Sequence, residues 1–216
     1  MRNSLGRALV VAVLAAALCS GLGVSAAFGA VQASVREADI LHDLVREYRS
    51  AEIENSTATS VGDVRGNAQM NSSLLSRYLF LHPPGGQATA ATATYTLRLP
   101  GLGGKEELLF LFAVGLRPGW READTEGADG VIFRVLVNGQ KTFERLWDKD
   151  GWCFSALDLS GHAGRTIRLT LVCDKNRNSS ADWAMWGDPR LVLLRPAPEG
   201  SRSMGGGNLL VLHPSS

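Results

Sequence analysis

The chain has 216 residues, 22 Lys and Arg against 21 Asp and Glu, a formal charge of +1, and 45% hydrophobic residues. That length and apolar content suit a single domain with a substantial core and exclude disorder. The even charge balance excludes the clustered cationic surface with which nucleic-acid binders meet phosphate, so no nucleic-acid partner is expected.

Residues 1–27 read as a signal peptide. Arg2 and Arg7 give a basic start, Ala8–Val24 carry no charge, and Ser25 and Ala27 are small residues spaced as a signal peptidase requires. The uncharged run falls short of the roughly 20 residues of a bilayer span, so cleavage is expected; if retained, the segment would instead be a membrane anchor. Either outcome places the rest outside the cytoplasm: secreted, periplasmic or on the cell surface. Residues 34–54 read as an amphipathic helix. Ser34 and Glu37 have capping-box spacing, and Ile40, Leu41, Leu44, Val45 and Tyr48 recur at helical intervals opposite Arg36, Arg46, Glu47 and Arg49. Such a stripe would pack on the main domain or engage a protein partner. Residues 55–73, rich in Ser, Thr, Asn and Gly, read as a linker.

From residue 74 to 195 the period changes to two. "LLSRYLFLH", "ATYTLRL", "ELLFLFAVGL", "VIFRVLVNG", "TFERLW", "CFSALDL", "RTIRLTLVC" and "RLVLL" are short apolar or alternating runs divided by Pro, Gly, Asn and Asp. Residues 196–216 form a Gly-, Pro- and Ser-rich tail with a final candidate strand, "NLLVLH". Strands at this spacing without intervening helices predict a mainly β fold, an antiparallel two-sheet β-sandwich of jelly-roll type. No internal repeat is visible, which excludes propellers and solenoids.

The 3 cysteines are too few for a disulfide scaffold and lack zinc-site spacing. If "SGHAG" closes a hairpin between "CFSALDL" and "RTIRLTLVC", Cys153 falls opposite Cys173 and a disulfide is expected. If the connection crosses between sheets, the register is lost and two buried free thiols remain.

No G-x-S-x-G, H-E-x-x-H or P-loop motif occurs, and histidines 42, 82, 162 and 213 are scattered singly, so no enzyme is expected. Asp174, Asn176, Asn178, Ser180 and Asp182 place oxygens at alternate positions, as in the first half of a calcium loop. The same pattern equally describes a polar turn bonded to its own backbone. Structural calcium is the one cofactor the sequence suggests. Five tryptophans, at 120, 147, 152, 183 and 186, are many for this length. Trp offers a broad apolar face to sugar C–H groups while neighbouring polar residues bond the hydroxyls. Trp147 and Trp152 flank "DKDG" in a loop, whereas Trp183 and Trp186 precede a strand and also fit core positions.

At these residues the chain resembles a known family. "HPP", "ATYTLRLP", "DGVIFRVLVNG", "FSALDLSGHAGRTIRLTLVCD" and "NSSADWAMWGDPRLV", from His82 to Leu194, are similar to the NPCBM-type carbohydrate-binding modules associated with family 98 glycoside hydrolases. That resemblance implies a galactose-binding-like jelly roll that binds galactose-type glycans through edge loops, with structural calcium and no catalysis. Asp182 and Trp183 fall on the family's Asp-Trp pair, and Asp129 and Gly130 on its Asp-Gly turn; Asp129, Gly130 and Trp183 are expected to be structural. The candidate ligand residues are Trp147, Asp150, Trp152, Asn178, Trp186 and Arg190, and the candidate calcium ligands Asp174, Asn176, Asn178 and Asp182. The alternative reading is a structural or adhesion sandwich that makes protein contacts without binding sugar.

Overall fold

Alternation of apolar and polar residues with frequent Gly and Pro breaks builds strands along most of the chain. The computed structural model describes residues 8–11, 35–64, 75–85, 90–123 and 127–195. The strands are β1 (Ala8–Val11), β2 (Val35–Asp43), β3 (Glu52–Glu54), β4 (Ala58–Asp63), β5 (Arg77–His82), β6 (Ala90–Arg98), β7 (Glu107–Leu116), β8 (Val131–Val137), β9 (Gln140–Trp147), β10 (Trp152–Asp158), β11 (Thr166–Lys175) and β12 (Ala184–Arg195). The two candidate strands at the ends of the 74–195 region, and all those between them, are therefore present; the one in the tail lies outside the described residues.

All pairings are antiparallel, in two sheets. One sheet has the order β3-β6-β11-β8-β9. In the other, β12 pairs along one side with β7, which in turn pairs with β10. Its other side is shared end to end: Met185–Gly187 pair with β5, and Arg190–Arg195 with β2. Strand β4 extends this sheet beyond β5, and β1 beyond β2. The inner faces enclose one core, with Phe110, Phe112, Leu191 and Leu193 from one sheet and Tyr95, Phe133, Leu169 and Leu171 from the other.

Three expectations are corrected. Residues 34–54 are not a helix. Val35–Asp43 is a strand, and the chain then turns through a short 3-10 segment at Tyr48–Ser50 into β3. Two features explain this. Pairing with β12 satisfies the β2 backbone, and Asp43 Oδ1 ends the strand by accepting from the Val45 and Arg46 amides at 3.2 and 3.1 Å. Leu44 and Val45, read as part of a helical stripe, are buried by that turn, where the Tyr95 hydroxyl donates to the Leu44 carbonyl at 3.0 Å. The 55–73 linker contains β4, in register from Ala58 opposite His82 to Asp63 opposite Arg77. The proposed signal peptide lies outside the described residues except for Ala8–Val11, paired with Val35–Ala38.

The third correction concerns the cysteines. Among the described residues strand β10 pairs with β7 alone, and β11 lies in the other sheet between β6 and β8, so "SGHAG" crosses between sheets and the hairpin register does not form. Cys153 and Cys173 are buried thiols that form no disulfide. Burial pushes the Cys173 thiol well above the ordinary cysteine range, further than the Trp186 indole N–H, 3.1 Å from its sulfur, draws it down.

The centre of the β12 sheet depends on one irregularity. Gly187 lies opposite Ala113 and Arg190 opposite Leu111, so β12 carries one extra residue at a bulge. Pro189, which has no N–H for a ladder, is placed there. Asp188, with φ +39, turns its carboxylate to the start of β5. It accepts from the Ser76 amide at 2.6 Å, the Ser76 hydroxyl at 3.0 Å and the Arg77 amide at 3.1 Å. Arg190 Nη2 lies 3.0 Å from Asp188, and Arg190 Nε 3.7 Å from Asp43 at the end of β2.

Replacing Asp188 by Ala leaves the Arg190 guanidinium, 4% exposed, without its nearer carboxylate and frees the β5 amides. The expected cost is about 3–5 kcal/mol, seen as a lower urea midpoint. Thiol labelling with peptide mapping is expected to leave Cys153 and Cys173 unmodified in native protein and to modify both after unfolding without reductant; protection that persists until reductant is added would show a bridge.

Candidate functional site

The loops after β7, β9 and β11 gather at one end of the sandwich and carry four of the five tryptophans. The short β9–β10 connection, Asp148–Gly151, is exposed. Trp147 and Trp152 bound it, each half-buried. The Trp147 indole N–H donates to the Gly151 carbonyl at 3.3 Å. Asp150 Oδ1 accepts from the indole N–H of Trp120 at 2.9 Å, which ties the buried Trp120 of the β7–β8 loop to the β9–β10 loop. Arg121 donates to the Asp148 carbonyl and lies over the Trp120 ring, 4.7 Å from its centroid. The β9–β10 loop is thus braced from below by an aromatic-cation pair.

Trp152 has a second setting. Cys153 points inward, so Trp152 lies on the outer face of its sheet. A Cβ on Gly115 would come 2.8 Å from the indole, and one on Gly187 3.0 Å, so the ring spreads over the bare backbone of β7 and β12. Two glycines form its floor, as when an aromatic side chain covers a sheet glycine. Phe154, two residues along the same face, is 46% exposed.

The other sequence candidates go elsewhere. Trp186 is fully buried at the centre of the core, 5.5 Å from Phe112 and 5.3 Å from Phe133 between centroids. It is no ligand platform. Arg190 is enclosed by Asp188 and Asp43 and is no ligand donor either. Both lie on β12, a central strand buried on both faces, where neither side-chain parity reaches solvent. Asn178 closes a turn, accepting from the Ser180 amide at 2.8 Å and donating to the Gly127 carbonyl at 3.3 Å. Trp183, half-buried, has the Arg117 guanidinium 5.4 Å from its ring centroid. Asp129 ties the start of β8 to the β11–β12 loop: its carbonyl accepts from Asn176 Nδ2 and its carboxylate from the Arg177 amide. Gly130, with φ +83, passes so close to Trp147 that a Cβ would sit 2.5 Å from its carbonyl oxygen.

Asp174 is paired with Arg134 at 2.5 Å on the outer face of the other sheet. Asn176 and Asn178 donate their amide nitrogens to the carbonyls of Asp129 and Gly127. Asp182 is 1% exposed at the foot of β12. Among the described residues no three His, Cys, Asp or Glu side chains converge as a metal set. The alternating oxygens brace the loop as a polar turn does. Missed by the sequence reading were Trp120, Arg121 and Asp148; the available signal was the adjacent Trp-Arg pair, but its partner loop was not visible.

No protein-family model matches the chain. An uncharacterized protein of Archaeoglobus fulgidus is 29% identical over 126 residues, 52% of this chain and 30% of that protein. The chain therefore spans under a third of that relative's length. Among solved structures, CBM51 from Clostridium perfringens GH95, in complex with methyl-galactose, is 18% identical with a TM-score of 0.45, covering 69% of this chain and 98% of that one. A second CBM51 with INT domains, from Clostridium perfringens ZmpB in complex with GlcNAc, is 16% identical with a TM-score of 0.44, covering 66% and 29%. TmCBM61 in complex with beta-1,4-galactotriose is 12% identical with a TM-score of 0.41, covering 69% and 90%.

The glycine floor under Trp152 is directly testable. Gly115→Ala places a methyl group between the indole and the Gly151 carbonyl, and is expected to cost about 1–3 kcal/mol in chemical unfolding. Combining it with Trp152→Ala is expected to recover part of that loss.

Proposed function

We propose that this chain is a non-catalytic, extracytoplasmic carbohydrate-binding module of galactose-binding-like jelly-roll type, with its sugar platform at the β9–β10 loop. The observation that carries the reading is the pair of half-buried indoles, Trp147 and Trp152, on either side of the exposed Asp148–Gly151 loop. A sugar ring stacks on an indole through its C–H face, and carboxylates and amides beside it take the hydroxyls. Asp148, Lys149 and Asp150 supply those polar groups. Trp120 and Arg121 hold the loop that carries them, so little ordering entropy is lost on binding. Trp152 is the main platform, because its ring is held flat on the backbone of β7 and β12 beside the exposed loop. Near-neutral charge suits an uncharged ligand.

Methyl-galactose, the ligand of the Clostridium perfringens module, is the first probe, followed by a glycan array. Trp152→Ala is expected to weaken binding about tenfold or more by calorimetry in a protein that still folds, with about 1–3 kcal/mol lost in unfolding from the packing on Gly115, Gly187 and the outer-face cluster. Trp147→Ala is expected to weaken it less, since its indole N–H is engaged with the Gly151 carbonyl. Absence of binding to every galactosyl, N-acetylglucosaminyl and plant-polysaccharide probe would overturn the reading in favour of a protein-contact role.

A further inference from the structure

At the end of the sandwich away from the tryptophan loops lies a cleft of about 440 Å³ between β2, the end of β6 and the β10–β11 connection. Its walls include Leu41, Pro100, Gly101 and Gly164, and its polar groups are His42 and Arg98. The volume lies toward the lower end of the roughly 300–1,000 Å³ typical of small-molecule sites.

The walls are fixed by backbone bonds. The Gly164 amide donates to the Pro100 carbonyl at 2.8 Å, and the Leu99 amide to the Arg165 carbonyl at 2.8 Å, which locks the β6–β7 and β10–β11 connections together. Gly101 and Gly164 present bare backbone there; a Cβ at either would meet nothing within 4 Å.

The two polar groups differ in what they leave open. His42 Nδ1 lies 3.0 Å from Glu47 Oε2, so the remaining ring nitrogen, Nε2, is the one left to bond a ligand. Arg98 makes no ion pair or side-chain hydrogen bond among the described residues, unlike Arg134, Arg168, Arg190 and Arg195, each of which meets a carboxylate. Arg98 is exposed and lines the cleft, and a guanidinium without an ion pair has the chemistry of a carboxylate receptor, since its planar fork matches two carboxylate oxygens.

We propose that this cleft is a second ligand site, separate from the tryptophan loops, for a carboxylate-bearing compound of about monosaccharide size. Arg98 takes the carboxylate, His42 bonds a hydroxyl, and Leu41 and Pro100 pack the apolar face of the ligand. Glu47, held on the far side of the imidazole, orients the ring.

The test is a titration of the full chain with glucuronate, glucose and acetate, followed by amide NMR. Glucuronate is expected to shift Leu99, Gly101 and Gly164 saturably, glucose to leave them unmoved, and acetate to bind at least tenfold more weakly than glucuronate. Arg98→Gln, at an exposed position, is expected to weaken glucuronate binding about tenfold or more, since a charge-assisted pair is lost. Trp152→Ala is expected to leave it unchanged, so this site stands or falls apart from the sugar platform proposed above. Unmoved cleft amides, equal affinity for acetate, unchanged binding by the Arg98 variant, or loss in the Trp152 variant would each overturn the proposal.

Discussion

The carboxylate of Asp188 fixes how the sheets are assembled. Strand β12 is long enough to run past two partners on one edge, and β5 and β2 meet it end to end at the bulge. Three partly buried peptide and hydroxyl groups at the start of β5, and one guanidinium directed at the end of β2, converge on that single side chain. The extra residue also changes parity. Before the bulge, even-numbered Ala184 and Trp186 face the core; after it, odd-numbered Leu191 and Leu193 do. Without the bulge, one half of β12 would turn its apolar set away from the core. A charged pair is thus retained in an otherwise apolar sheet because it specifies where two strand ends stop.

The same irregularity reaches the candidate site. Gly187 is the residue just before the bulge, and with Gly115 it leaves the outer face low enough for Trp152 to lie across two strands. Leu75 reaches the same glycine from the other side, and Tyr78 covers Gly62 in the same manner. The outer face near β5, β7 and β12 is therefore a thin second core, with Val64, Leu75, Ala113 and Met185 buried in it. Trp152 packs against this layer from β10, next to the exposed β9–β10 loop.

Most strands were legible because local signals and tertiary structure agree: two-residue alternation with Gly, Pro and Asn breaks can be read without knowing the partner. Residues 35–43 were not, since Ile40, Leu41, Leu44 and Val45 fit a helical stripe as well as a strand running into a turn, and only pairing with β12 decides. The Cys153–Cys173 register was illegible for a similar reason, because a five-residue connection can close a hairpin or cross to the other sheet. Asp188 could not be recognised as a structural acid, since its partners Ser76 and Arg77 lie 112 and 111 residues away in sequence. Trp147, Asp150 and Trp152 lie together at one loop because they are neighbours in the chain. Trp186 and Arg190 were misplaced because a strand covered on both faces has no solvent parity to read.

The fate of the tryptophans follows from one rule of strand geometry combined with one of sheet position. Trp186 faces inward on a central strand, and its indole N–H, which needs a partner when buried, takes the Cys173 sulfur at 3.1 Å. Trp152 faces outward on β10, whose far edge has no strand partner among the described residues, and spreads over Gly115 and Gly187 against the outer-face cluster. Trp120 is buried in a loop and is satisfied by Asp150, a residue of the very loop it supports. Aromatic content alone therefore does not separate core from recognition surface. The separation comes from where the backbone sets each ring: Trp186 faces the core from a central strand, whereas Trp147 and Trp152 are half-buried on either side of an exposed loop.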